Sequence, residues 1–235
     1  MYPEPSSARN SPLQGVLLTN ADLDHTLGLL SLREGENVRI HASRSVWEYL
    51  SVTLAFNSIL EAFCGVTWFE PPLREWASLV LKSGQPSGLS YRAIPMRSSP
   101  PMLSSAGSSI DVETHAFLVK DERTGRVLLA APDVFEINRE LEDALAQADA
   151  VLFDGTFWSE HELGQVKASA RVASAMGHLP IHGGSLERLA CSPARIRIYL
   201  HINNTNLILF PGSAERKAVE AAGITVGYDG LEFDL

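Results

Sequence analysis

The sequence predicts an α/β protein, a four-layer αββα sandwich forming a single domain over residues 11–235. Short apolar runs bounded by turn-formers alternate with amphipathic stretches, the pattern of strands alternating with helices. A strong antiparallel hairpin, residues 115–120 (HAFLVK) and 126–131 (RVLLAA) around Thr124-Gly125, breaks that alternation and calls for a mixed sheet. Polar clusters directly follow apolar strands at residues 20–25, at Asp133, at 154–156 and at 201–206, so their loops can gather on one rim.

A chain of 235 residues is long enough for a sizeable core, and 45% hydrophobic with 20% charged residues is ordinary for a globular protein. The net charge of −9 offers no basic stripe for nucleic acid and no attraction to anionic lipid. Cys64 and Cys191 form neither a disulfide framework nor a zinc knuckle and read as free, buried thiols. The first 15 residues lack the apolar segment of a signal peptide, and no apolar run approaches the ~20 residues that span a bilayer. The expectation is a cytoplasmic protein, without membrane insertion, whose Pro- and Ser-rich residues 1–10 are a flexible tail.

Taken in order, residues 16–19 read as a buried strand, followed by the loop Asn20-Ala21-Asp22-Leu23-Asp24-His25 and a helix from Thr26. Residues 37–42 (NVRIHA) alternate as a strand, with His41 at the strand end or the surface rather than a ligand. Residues 43–63 read as one helix with Val46, Tyr49, Leu50, Leu54, Ile59 and Leu60 inward and Ser45 as cap. An aromatic, proline-broken connection (Trp68, Phe69, Pro71, Pro72, Trp76) precedes a strand at residues 89–95, and residues 96–109 read as a loop. After the hairpin, in which His115 is structural or exposed, residues 134–148 suit a helix and 150–153 a buried strand. A helix is expected over 167–176, a strand over 196–200 and a helix over 214–222 with Gly223 ending it. Terminal strands are expected at 224–228 and 231–235.

The opening loop carries the first chemistry. Two carboxylates, an amide and an imidazole within six residues can offer a metal ion oxygen ligands and one nitrogen ligand. An Asx-rich turn capping a helix through Asp24 or Thr26 is the other reading. Asp133 ends a strand and is either a site carboxylate or the cap of the following helix. His178 ends a helix, where its positive form is favoured. Asn203, Asn204, Thr205 and Asn206 are a dense set of neutral hydrogen-bonding groups that suit a polar substrate or a series of Asx turns.

The run TNADLDHTLGLL resembles the first metal motif of the metallo-β-lactamase superfamily, and more closely its variant in the B protein family of pyrroloquinoline quinone (PQQ) biosynthesis. LFDGTFW (152–158), MGHLPI (176–181) and LHINNTN (200–206) match that family in order and approximate spacing. The resemblance implies a metallo-β-lactamase-like sandwich that is N-terminally shortened, because the family's glycine-rich turn and zinc-binding cysteine cluster ahead of Pro12 have no counterpart here.

It further implies a role in PQQ biosynthesis as an iron-dependent oxygenase using O2 to hydroxylate the tyrosine-derived ring of a Glu-Tyr precursor. Asp24, His25 and His201 would be the metal ligands with Asp22 next, a two-histidine, one-carboxylate set suited to Fe(II), with Zn the alternative metal. The superfamily's hydrolases carry histidines where this chain has Asn20 and Asp22, which disfavours a dinuclear zinc centre. The matching position of His178 points into the pocket and gives it a proton-transfer role, with Asp154 orienting it or a ligand. Asn20, Asp133, Asn203, Asn204, Thr205 and Asn206 would bind substrate; His161 and His182 receive no role. Other readings are a carrier that transports PQQ or its precursor, a metal-dependent hydrolase, and an inactive paralogue. A homodimer is left open.

Overall fold

The computed structural model describes residues 12–32, 37–97, 112–166 and 170–235. Two sheets stack with helices outside each, the expected four layers. β1 (Val16–Leu17), β2 (Val38–His41) and β3 (Val66–Phe69) form a parallel three-stranded sheet in that order. Parallel neighbours need crossovers. The first is α1 (Leu23–Thr26) with a 3-10 turn over Leu27–Ser31. The second joins α2 (Arg44–Glu48), a π turn at Tyr49–Thr53 and α3 (Phe56–Phe63).

The second sheet has seven strands: β4 (Ala77–Val80), β5 (Pro86–Met96), β6 (Thr114–Asp121), β7 (Val127–Ala131), β8 (Ala150–Asp154), β9 (Ile196–Leu200) and β10 (Thr225–Val226). They lie in sequence order across the sheet. Strands β4 to β7 pair antiparallel and β7 to β10 parallel, so the register changes character at β7. The parallel half carries α4 (Arg139–Gln147), α5 (Glu162–Val166), α6 (Leu186–Cys191) and α7 (Ala214–Ala221).

Strand alternation sorts the cores. Ile94, Met96, Ala116 and Leu118 face the helices with Leu141, Leu189 and Val219, while Tyr91, Ala93 and Phe117 turn toward Leu17 of the other sheet. On β2, Val38 and Ile40 pack under Val46, Leu50 and Leu60. His41 faces inward instead, with Nδ1 2.7 Å from the Tyr91 hydroxyl. The two sheets thus meet through a small, partly polar layer, and the larger cores lie beneath the helices.

Several boundaries depart from expectation. α1 begins at Leu23 rather than Thr26, so Asp24 and His25 ride on a helical turn, and neither Asp24 nor Thr26 caps it. The cap of α2 is Ser43, whose Oγ accepts from Val46 N; Ser45 Oγ instead accepts from Glu113 N, because the helix starts as soon as β2 ends. The single helix over 43–63 is broken by the π turn and by Ala55 at φ 55°, which rotates the apolar face and leaves Ile59 exposed. α4 starts at Arg139 because Asn138 caps it, so Asp133 is no helix cap. Helix α5 ends before the predicted 167–176 helix, of which residues 174–176 form a 3-10 turn and 167–169 lie outside the described residues. Residues 231–235 form no strand. Cys191 is exposed and Cys64 half-buried; both are free. His115 is buried, the structural one of its two expected alternatives. The expected tail and most of the 96–109 loop lie outside the described residues.

One glycine shows how tightly β8 and β9 deliver their ends. A Cβ on Gly155 would sit 2.9 Å from Tyr199 Cβ and 3.1 Å from the Leu200 carbonyl oxygen, and Gly155 N donates to that oxygen at 2.8 Å. Neither neighbour is the loose end of a flexible side chain. Gly155→Ala is therefore expected to destabilise the protein by about 1–3 kcal/mol, read as a lower midpoint in urea unfolding.

Candidate metal centre

Both sheets contribute to one polar cluster. From the first, β1 is tied to β2 by Leu18 N donating to His41 O (2.9 Å), and the chain turns at Thr19-Asn20-Ala21 into α1. Successive helical residues point about 100° apart, so Asp24 and His25 flank a point rather than stack; Asp24 Oδ2 lies 4.0 Å from His25 Nε2. From the second sheet, His201 follows β9 directly. Its Nε2 is 3.0 Å from both His25 Nε2 and Asp24 Oδ2. His201 holds φ 56°, in the left-handed region that side chains other than glycine avoid at a cost of about 1–2 kcal/mol.

These three atoms form a donor set open on one side. A first-row metal with N/O bonds of about 2.1 Å holds cis ligands about 3.0 Å apart in octahedral geometry. The two separations to His201 Nε2, 3.0 Å each, match that spacing, while the 4.0 Å between Asp24 and His25 exceeds it, and Asp24 is the exposed member that can adjust. Each imidazole also has an oxygen at its far nitrogen: Thr19 Oγ1 is 3.2 Å from His25 Nδ1, and Thr156 Oγ1 is 2.8 Å from His201 Nδ1. Metal-bound histidines are oriented in this way. Burial, and then the charge of His201, hold His25 below its ordinary pKa, so the ring is neutral and available as a ligand. Partial burial pushes the Asp24 carboxyl up, but contact with His201 and the positive charge that His25 and His201 carry when protonated outweigh it and hold the group below its ordinary value.

Behind this set lies a buried hydrogen-bond group. Asp154 Oδ2 accepts from Val134 N (2.9 Å) and lies 2.8 Å from His178 Nδ1; its Oδ1 accepts from Thr156 N (2.9 Å) and Thr156 Oγ1 (2.6 Å). Gly177 at φ 92° closes the 3-10 turn and aims His178 at this carboxylate. Asp133 Oδ1 is 3.5 Å from His178 Nδ1, and Asp133 Oδ2 accepts from Asn20 Nδ2 at 2.5 Å. Burial lowers His178, but its hydrogen bond to Asp154 and the charges of Asp154 and Asp133 overcome that and raise it. Burial pushes Asp133 up to about 6 against the opposing charge of His178.

Among the described residues, the donor atoms that converge belong to Asp24, His25 and His201, and to Asp154, His178 and His201, without Asp22. The second set is already committed, since both Asp154 oxygens accept hydrogen bonds. Asn20 is likewise occupied, its Oδ1 accepting from Asp22 N at 3.2 Å. The asparagine-rich loop is largely self-satisfied. Asn206 is fully buried, its amide donating to Gly155 O and accepting from Ile208 N, so it holds the loop and presents nothing to a substrate. Asn203 Nδ2 donates to Thr205 Oγ1, which donates to Glu162 Oε1. Asn204 remains exposed. Thr19, the Thr156 hydroxyl and the buried Glu162 were not singled out by sequence reasoning. Thr19 and Thr156 adjoin motif residues and could have been; Glu162, which also accepts from Trp158 N, carries no local signal.

The description "Beta-lactamase superfamily domain" matches residues 1–202. Coenzyme PQQ synthesis protein B of Methylobacterium nodulans is 36% identical over 97% of this chain and 75% of its own. The Gluconobacter oxydans protein of the same name is 35% identical, with the same shares covered. The chain belongs to the coenzyme PQQ synthesis protein B family. A solved member, Zn2+-bound PqqB from Methylobacterium extorquens, superposes with a TM-score of 0.85 at 32% identity over 99% of this chain and 77% of that one. A diphosphatase from the PhnP family, at 16% identity and a TM-score of 0.62 over 95% of this chain and 72% of that one, shares the fold. Membership in the PQQ family accounts for the four motifs occurring together, three at strand ends and MGHLPI after a 3-10 turn, and the metallo-β-lactamase fold accounts for their convergence.

The raised Asp133 sets a pH dependence. Unfolded, it loses its proton near pH 4; folded, it keeps the proton up to about 6. The folded state binds more protons over that interval, so this group makes stability fall as pH rises from about 4 to about 6 and level off above. Asp133→Asn is expected to remove that fall, on the order of 2 kcal/mol, in urea unfolding of the metal-free protein across the interval.

Proposed function

We propose that this chain serves PQQ synthesis as a metal-dependent oxygenase, with iron as the working metal and a Glu-Tyr-derived small molecule as substrate. The observation that carries the reading is the convergence of Asp24 Oδ2, His25 Nε2 and His201 Nε2, two nitrogens and one oxygen. Such a set leaves coordination positions open and suits non-haem Fe(II). The bound metal would supply activation of O2, and each hydroxylation of the phenol ring would consume O2 and two protons, with two electrons from an external reductant, to give the catechol and water.

The chain's own residues would do the rest. His178, held through Nδ1 on Asp154, would exchange a proton with substrate at Nε2. Asn204, exposed on the loop after His201, would meet the polar groups of the substrate, and Asn20 and Asp133 would line the pocket floor. Thr205 and Asn203 would shape the loop through Glu162. Among the described residues no helix is long and apolar enough to cross a membrane, and free thiols suit a cytoplasmic setting.

Zinc-dependent hydrolysis is a weaker reading. The Zn2+ in the Methylobacterium extorquens relative speaks for it. Against it, Asn20 occupies a position where the hydrolases carry a histidine, and its amide is already bonded to Asp133 and to the backbone of Asp22.

Metal analysis after anaerobic purification from iron-supplemented cells is expected to give about one iron per chain, lost in His25→Ala and Asp24→Ala. Retained iron with full hydroxylation in His25→Ala would overturn the ligand assignment. Zinc in place of iron would favour hydrolysis, and a well-folded, metal-free wild type that still binds PQQ would favour a carrier.

A further inference from the structure

We infer that the Thr156 hydroxyl is a positioning group that selects the tautomer and ring orientation of His201; the inference rests on His201 being a metal ligand. Thr156 Oγ1 has one proton and three neighbours: Asp154 Oδ1 at 2.6 Å, the His201 carbonyl oxygen at 2.9 Å and His201 Nδ1 at 2.8 Å. The proton goes to Asp154, which is closest and the charged acceptor of the three. Having given its proton away, the hydroxyl can only accept from His201, so Nδ1 carries the hydrogen. The Nε2 lone pair is then fixed facing Asp24 and His25.

That lone pair lies 3.0 Å from a carboxylate oxygen. Two electron-rich atoms at this distance repel unless a cation or a proton lies between them, so Thr156 holds the site in a form that favours a metal. In the other tautomer, Nε2–H would donate to Asp24 and close the position by a hydrogen bond. The same hydroxyl touches both the backbone oxygen and the ring of His201, the residue held at φ 56°.

The loop itself does not depend on this side chain. Gly155 N donates to Leu200 O, Asn203 N to Thr156 O, and Asn206 Nδ2 to Gly155 O, all independently of the hydroxyl. Removing the hydroxyl should therefore leave the β8 and β9 loops joined while releasing the imidazole.

The test compares wild type, Thr156→Val and Thr156→Ser, with Thr156→Ala replacing the valine variant should that one fail to fold. Two readouts are taken: Zn2+ affinity by competition with a chromophoric chelator, and 15N imidazole signals of His201 in the metal-free protein near neutral pH. Loss of the hydroxyl is expected to weaken Zn2+ binding roughly 10- to 100-fold and to shift His201 away from a pure Nδ1–H signature, with Thr156→Ser restoring both. A folded valine variant with wild-type affinity and an unchanged Nδ1–H signature would overturn the inference. If the wild type binds no Zn2+, the metal reading fails separately, and the nitrogen signals alone still decide the role of Thr156.

Discussion

The Asp154 carboxylate is the interaction on which the centre depends. It is fully buried, and a buried carboxylate is costly unless its oxygens are satisfied. Here the loop after β7 supplies Val134 N, its own loop supplies Thr156 N and Oγ1, and the turn at Gly177 supplies His178 Nδ1. Three separate stretches of chain are therefore drawn to one point. The loss of any donor would leave the charge short of a partner in a low-dielectric setting, so the arrangement is mutually enforcing. His201 joins the same group through Thr156, which makes Asp154 the anchor of two histidines.

The centre lies where the two sheets meet. Asp24 and His25 come from the three-stranded sheet, and His201, Asp133, Asp154 and His178 from the seven-stranded one. Across that junction run the Asn20 to Asp133 hydrogen bond, the His115 N to Thr19 O hydrogen bond and the His25 contact with His201. The apolar layer between the sheets is small and includes the polar pair His41 and Tyr91. A cation shared by Asp24, His25 and His201 would add a further link between the halves, and binding to the folded state alone stabilises it.

The polar loop after β9 illustrates how one composition can serve structure or recognition. Asn203, Thr205 and Asn206 carry amides and a hydroxyl of the kind that bind substrates, yet their partners are within the protein. A tight left-handed turn at His201 leaves several backbone groups without strand partners, and nearby short polar side chains satisfy them. Glu162 completes the set by bracing the loop against α5. Only Asn204 keeps its side chain toward solvent.

Much of the fold was legible because its signals are local. The apolar runs at β1, β8 and β9, the Thr124-Gly125 hairpin and the Gly223 stop each depend on residues adjacent in sequence. Asp24, His25 and His201 were legible as candidates for a different reason, their resemblance to a family motif rather than any periodicity, and the fold brings their donor atoms together. Tertiary structure decided the rest. Asn138 rather than Asp133 capped α4, because Asp133 is drawn to Asn20 and His178 from 113 and 45 residues away along the chain. Whether Asn206 meets substrate or the backbone of Gly155, and which nitrogen of His201 is free, are set by contacts with residues about 50 and 45 positions distant. Sequence records which donors and acceptors a chain owns; only the packed fold determines which of them are already partnered, since burial makes an unpartnered polar group too costly to leave alone.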